Sequence, residues 1–404
     1  MPGLTLFCMN NLHELGIQRA ITWIVNGWDQ AAHAPVALSL HRREGALESF
    51  LDPRVRVYEL DRITPPFPGF SSLTRVIAYY QLLSTLRPST VIAVNQYEAL
   101  ALCLVKRLLP HFTLVVSEHC HVSSNISGAD AHTGAFGWYY RHFFRREYLK
   151  YADVIHTVSH DAADDLVQCH GIPAERIRVI HNPVDMELVH ARAREDGGLT
   201  ARKGQRRWLL AASRLSRQKR LDILISAWGQ LARDPEFAPD WRLVICGDGP
   251  ERAMLERLAQ DLGVADTVDF VGFQTNPWQW MHHSDLLVST SEWEGLPCSL
   301  IEAQAVGVPV AAADCPTGPR EILLDGRAGF LFPPGDVNAC AAAIRRAVAD
   351  PEAARQKVRT ARLHLERFAL ADIIRQYADL GQQSSPRPAR PPIQPRSIGM
   401  NHPA

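Results

Sequence analysis

The sequence predicts an α/β protein built from two successive doubly wound parallel sheets. Three observations carry that prediction. Short apolar runs of strand length alternate with longer helix-like segments, which is the pattern of βαβ units rather than of hairpins. The alternation stops at a polar, charged, glycine-bearing stretch from 195 to 207 and then begins again. A chain of 404 residues is long enough for two domains of ordinary size.

In the first half, 4–9, 36–40, 55–60, 90–94, 112–117 and 154–158 are the expected strands, with helices over 16–28, 71–86 and 98–109. The apolar start, 1–9, has no basic leader and is expected to be a first strand and not a signal peptide. The chain changes character at His181-Asn182-Pro183-Val184-Asp185. Strands are then expected at 208–212, 242–246, 267–271, 286–290 and 308–312, and helices at 221–233, 250–262 and 298–306. An alanine-rich segment, 337–349, precedes one or two closing helices within 351–380. The expected organisation is one α/β domain over 1–183, a second over 184–365, a closing helix over 366–380 and a tail over 381–404. Six prolines, three arginines and no acidic residue make disorder the expected state of that tail, with a basic tether as the sharper alternative.

Composition removes several function classes. Hydrophobic residues at 46% and charged residues at 21% describe a globular chain, and a net charge of zero gives no support to a nucleic-acid partner. The eight cysteines form no Cys-x-x-Cys pair, as expected of reduced thiols in the cytoplasm. No apolar run reaches 18 residues, so no membrane span is expected and any membrane contact must be peripheral. One segment allows such contact. Between 134 and 150, Trp138, Tyr139, Tyr140, Phe143, Phe144 and Tyr148 interleave with Arg141, Arg145, Arg146 and Lys150 at helical spacing. A helix so made can lie on an anionic lipid surface on the inner face of the cytoplasmic membrane, or pack in the protein with its arginines snorkelling.

In an open parallel sheet, ligands meet the loops at the carboxyl ends of the strands. The stretch 292–310 follows one such strand and places Glu294 and Glu302 eight positions apart around a Gly-Leu-Pro turn. Gly295 permits positive φ, Pro297 suits the first helical position, and Gly307 supplies a helix stop. A helix start with free amides is a phosphate site, and two carboxylates beside it suit hydroxyl groups of a sugar or ribose. Arg214 and Lys219 follow another strand; two cations on one loop can hold a diphosphate leaving group, or form only a solvated basic turn. Gly247-Asp248-Gly249-Pro250 lacks the third glycine of a dinucleotide fingerprint, so a tight turn is favoured over NAD chemistry. His119-Cys120-His121 is too short a loop to close around one zinc; a contact to a sugar hydroxyl and a histidine satisfied by backbone are the two readings of His119. No two aspartates lie two positions apart, so the Asp-x-Asp clamp for a divalent metal is absent.

Assembled in order, these motifs resemble the retaining GT-B glycosyltransferases of family 4. The resemblance runs from Leu4 to about Leu380 and rests on the glycine loop before Arg19, Ser213-Arg214 with Lys219, Gly247-Asp248-Gly249-Pro250, Val271-Gly272-Phe273, and the Glu294/Glu302 pair. It implies two facing Rossmann-like domains with parallel sheets and an interdomain cleft, the first (1–183) for the acceptor and the second (184–365) for a nucleotide sugar, and a closing helix over 366–380 that packs toward the first domain. Carried over, Arg214 and Lys219 would bind the diphosphate, Glu302 the ribose and Glu294 the donor sugar. The amides of Leu296, Cys298, Ser299 and Leu300 would line the phosphates, with Gly272 and Phe273 near the base. Gly16 would let the first domain's loop approach the diphosphate, and His119 would contact the sugar. The family's usual Gly-Gly in that loop is Leu15-Gly16 here. The resemblance further implies no metal and no cofactor, the donor being a substrate. Asp314-Cys315-Pro316-Thr317-Gly318-Pro319-Arg320-Glu321-Ile322 is similar to a subset that builds bacterial cell-surface polysaccharide, often from UDP-linked sugars onto lipid-linked or lipopolysaccharide acceptors. Two other classes remain: a silent GT-B binding subunit, against which Arg214, Lys219, Glu294 and Glu302 all speak, and a GT-B phosphorylase or epimerase.

Overall fold

A computed structural model of the chain describes residues 3–13, 16–29, 33–64, 71–127, 151–235 and 237–380. Residue Leu15, the aromatic–basic segment 134–150 and the tail 381–404 lie outside the described residues. Seven strands make the first sheet: β1 (Thr5–Met9), β2 (Val36–Leu40), β3 (Arg56–Glu59), β4 (Thr90–Ala93), β5 (Thr113–Glu118), β6 (Val154–Thr157) and β7 (Ile177–Val179). Their order is β3-β2-β1-β4-β5-β6-β7. The second sheet holds β8 (Arg207–Ala212), β9 (Trp241–Cys246), β10 (Val268–Gly272), β11 (Leu286–Ser289), β12 (Val310–Ala313) and β13 (Phe330–Phe332), in the order β10-β9-β8-β11-β12-β13. Every pairing in both sheets is parallel. Helices cover both faces, so β1 and β2 are buried at every position, which is why they read as apolar runs and not as alternations.

The two-sheet α/β class is therefore as expected, and the differences are local. The edge strands β7 and β13 were not predicted; each is three residues long, too short to carry a pattern. The helix Gln96–Leu108 starts two residues before the expected 98 because Asn95 caps it, accepting from the amides of Tyr97 and Glu98 at 3.0 and 3.1 Å. The helix expected over 16–28 stops at Asn26, and a Cβ on Gly27 would come within 2.9 Å of Ile374.

That last contact belongs to the end of the chain. The helix Leu370–Ala378 returns to the first sheet, burying Ile373, Ile374 and Tyr377 among Phe7, Ile21, Ile24 and Leu38. The chain thus crosses between the sheets twice, and the crossings touch: the Val184 amide donates to the Phe368 carbonyl at 2.9 Å. In each sheet the strand order reverses once, between β1 and β4 and between β8 and β11. Those reversals open a crevice at the carboxyl ends of the strands, where ligands bind in this architecture.

Candidate active site

The β8 and β11 strands lie side by side, and the loops that leave their carboxyl ends carry Lys219 and Glu294. Backbone contacts tie the loops together. The Thr290 hydroxyl donates to the Lys219 carbonyl at 2.9 Å, the Glu292 amide to the Gln218 carbonyl at 2.9 Å, and the Gln218 side chain to the Trp293 carbonyl at 2.7 Å. Lys219 Nζ consequently sits 2.5 Å from Glu294 Oε1, which also accepts from the Ser291 hydroxyl at 2.7 Å. A small pocket beside the pair is lined by Ser213, Ser289, Ser291 and Ser299. Arg214 is exposed on the same loop as Lys219.

The helix Cys298–Val306 begins here without a side-chain cap. Two sequence expectations are corrected at this point. Pro297 is the residue before the helix, with φ −67° and ψ 107°, and not its first helical residue; its carbonyl accepts the Leu300 amide at 3.1 Å. The Leu300 amide thus has a protein partner. Gly295 does not adopt positive φ. It is needed because a Cβ there would stand 1.9 Å from the His119 carbonyl oxygen. Gly307 does end the helix, at φ 96°.

The contact at Gly295 is one place where the first domain meets the second. The His121 amide donates to the Glu294 carbonyl at 2.9 Å, while its ring is held by Ser124 at 2.7 Å and Asp165 at 3.3 Å. Both ring nitrogens are thus engaged by protein groups. His119 differs: its ring is buried, and neither nitrogen has a hydrogen-bond partner among the described residues. Burial, and then the neighbouring His156, lower its pKa to about 3. The ring is neutral at physiological pH and offers one donor and one acceptor for a hydroxyl group. Burial lowers His156 to about 4. In the unfolded chain both would titrate near 6.5. Above that value both rings are neutral in either state and stability does not depend on their titration; it falls as pH drops below it, because the unfolded state takes up protons first. Unfolding free energy is expected to fall by about 1.4 kcal/mol per pH unit per histidine below pH ~6. Urea titrations of the parent protein and His119→Gln between pH 7 and 4.5 check this; identical slopes would sink it.

Further support comes from segments whose role was not legible. The Thr317 hydroxyl donates to the Glu294 carbonyl, and a Cβ on Gly318 would meet the Gly295 carbonyl at 2.8 Å. Asn182 donates to the Leu296 carbonyl at 3.0 Å. Glu321 links the domains, accepting from the His181 ring at 2.7 Å and the His160 amide at 2.8 Å. The three side chains bring donor atoms within 4.8 Å of one another, but both Glu321 oxygens are taken by protein donors. Gly247-Asp248-Gly249 proves to be a close-approach turn. A Cβ on Gly247 would lie 1.9 Å from the Ser213 carbonyl, and Leu215 donates to the Asp248 carbonyl at 3.0 Å, so this turn shapes the Arg214 loop. Gly272, at φ 73°, accepts from the Gly247 amide at 2.8 Å, and Phe273 beside it is 45% exposed. Gly16 faces Cys298, whose Sγ lies 3.9 Å from the Gly16 carbonyl. Burial first, then Glu302, push the Cys298 thiol up to about 12, so it stays protonated at neutral pH.

Two family models match this chain. Glycosyl transferases group 1 covers residues 198–364 and Glycosyl transferase 4-like domain covers residues 16–183, together more than half of it. The chain belongs to the GT4-type glycosyl transferases. Among curated relatives of this glycosyl transferase, an exopolysaccharide phosphotransferase of Streptomyces coelicolor is 38% identical over 168 residues, 41% of this chain and 18% of that protein. A lipopolysaccharide 1,6-galactosyltransferase of Salmonella typhimurium is 30% identical over 198 residues, 48% of this chain and 51% of that one. The chain thus spans about half or less of the length of these relatives. Among solved structures, HepE of Anabaena in complex with UDP-glucose superposes with a TM-score of 0.77 at 20% identity, covering 94% of this chain and 99% of that one. That likeness establishes the fold of this glycosyl transferase as GT-B. No helix among its described residues is long and apolar enough to cross a membrane.

Proposed function

We propose that the protein is a retaining glycosyltransferase that moves a hexose or N-acetylhexosamine from a UDP-linked nucleotide sugar to a glycan or lipid-linked acceptor in cell-surface polysaccharide synthesis, on the cytoplasmic side of the membrane. The observation that carries this reading is the Lys219–Glu294 pair at 2.5 Å, set at the β8/β11 reversal beside an uncapped helix start. The cation suits a diphosphate leaving group, and the carboxylate suits hydroxyls of the sugar being transferred. Arg214 shares the diphosphate with Lys219, and the amides of Cys298 and Ser299 add donors at the helix start. Glu302 takes the ribose, Gly272 and Phe273 border the base, and His119 takes a sugar hydroxyl. Gly16 brings the first domain against the phosphate side of the site.

The bond from the anomeric carbon to the diphosphate oxygen breaks, leaving an oxocarbenium-like centre. The acceptor oxygen bonds to that carbon from the same face, and its proton passes to the departing phosphate. Lys219 and Arg214 act by neutralising charge that develops on the leaving group, a term that grows from ground state to transition state. Relatives named for lipopolysaccharide and exopolysaccharide work, and a neighbour named for its UDP-glucose complex, support the substrate class.

A hydrolysis and thermal-shift screen of the purified protein against UDP-, GDP- and ADP-linked sugars tests the reading; no response to any nucleotide sugar would overturn it. Because the cations of the site come from arginine and lysine, donor hydrolysis is expected to survive EDTA with rates within about twofold. Complete loss on chelation, restored by a divalent ion, would contradict this.

A further inference from the structure

We propose that Arg19 is a positioning residue that couples closure of the two domains to the grip of Glu302 on the ribose of the donor. It stands one turn into the helix Gly16–Asn26 of the first domain, while Glu302 lies in the helix Cys298–Val306 of the second. Arg19 Nη1 is 3.2 Å from Glu302 Oε1, with the two side chains only 16% and 4% exposed. The guanidinium also lies over the Trp278 ring, 5.2 Å from its centroid. Trp278 is buried, belongs to the second domain and stacks on Trp23 of the first at 6.1 Å and 27°. A planar cation is therefore held by an indole face and a carboxylate that both belong to the opposite domain, a site that suits arginine and not lysine.

Among the described residues, the ion pair recorded for Glu302 is the one with Arg19. The carboxylate is nearly out of water, so its orientation depends on a partner that arrives only when the domains meet. A carboxylate oxygen accepts more than one hydrogen bond, so Arg19 and a ribose hydroxyl can share Glu302. Separation of the domains removes the guanidinium and leaves the carboxylate without its fixed plane. Arg19 thus makes ribose recognition a property of the closed molecule. The Gly16–Cys298 contact, three residues before Arg19 and four before Glu302, brings together the starts of the same two helices.

This inference rests on the nucleotide-sugar reading, and the test separates the two. Calorimetric titrations of UDP, ADP and GDP identify the diphosphate that binds, and its 2′,3′-dideoxy counterpart measures the value of the ribose hydroxyls. The parent protein is expected to prefer the ribo form by roughly ten- to hundredfold, as for hydrogen bonds to a charged group. Arg19→Ala should shrink that ratio to within about threefold while leaving the dideoxy affinity nearly unchanged. Arg19→Lys keeps the charge without the planar fork and should give an intermediate ratio. In a Glu302→Gln background, Arg19→Ala should add nothing further to the ratio. If Arg19→Ala weakens both ligands equally and keeps the parent ratio, Arg19 is only a tether and the inference is overturned. If Arg19→Ala does not fold, Arg19→Lys decides, and an unchanged ratio overturns it. If the parent binds none of the three diphosphates, or does not distinguish ribo from dideoxy forms, the nucleotide-sugar assignment itself fails.

Discussion

Lys219→Ala is expected to lower turnover by roughly 10²- to 10³-fold, the loss typical when one preorganised donor to developing negative charge is removed. The fold should survive. Lys219 ends the short 3-10 helix Arg217–Lys219, and its backbone partners, the Thr290 hydroxyl on its carbonyl and the Ser216 carbonyl on its amide, do not involve the side chain. The Glu294 carboxylate left behind keeps the Ser291 hydroxyl at 2.7 Å. The loss should fall mainly on kcat, because the leaving group carries more charge in the transition state than in bound donor. A coupled assay for released nucleoside diphosphate, with circular dichroism to verify the fold, checks this. Turnover within threefold of the parent would remove Lys219 from the mechanism.

Gly295→Ala is expected to be as damaging for a different reason. The added methyl would meet the His119 carbonyl oxygen at 1.9 Å, its carbon at 2.5 Å and the Cys120 Cα at 3.0 Å, all main-chain atoms that cannot rotate away. Relief requires shifting the 119–121 loop of the first domain off the Glu294 loop of the second, which also stretches the His121–Glu294 hydrogen bond. A displacement near 1 Å at a reacting site costs on the order of 10²-fold in rate. The expected result is a folded protein with kcat/KM down by about that factor. Gly263→Ala is the matched control. That glycine has φ +70° with nothing within 4 Å of an added Cβ, so the substitution should cost about 1 kcal/mol of stability and leave kcat/KM unchanged. Equal activities for the two variants would show that the contact at Gly295 is not needed.

These two residues show how far the sequence could be read. Lys219 was legible because a cation between a buried strand and a helix is a local pattern, and sheet topology sends such loops to the ligand crevice. The tight turn at Gly247-Asp248-Gly249-Pro250 was legible for the same kind of reason. Gly295 was legible as a special position, but its reason was misread. Positive φ is a local property and the natural guess for a glycine in a turn; a close approach by the chain at His119, some 176 positions earlier, leaves no local trace. Pro297 was misplaced by one residue because a proline tolerates both the position before a helix and the first one in it. Thr317, Gly318 and Asn182 stood in recognisable runs, yet nothing in those runs says that they brace the Glu294 turn. The edge strands β7 and β13 escaped because three residues cannot establish a period.

What the sequence determined by itself is the alternation of strand and helix, the break between two α/β units, and the residue types that suit diphosphate and hydroxyl groups. Those follow from periodicity, backbone preference and side-chain chemistry, all of which act over a few positions. What only the tertiary structure decided is who faces whom: Lys219 against Glu294, the His119 carbonyl against Gly295, and Arg19 against both Glu302 and Trp278. Each of these joins segments 75 to 283 positions apart. Such pairings are set by the order of strands in the sheets and by the seating of one domain on the other, and no window along the chain contains that information.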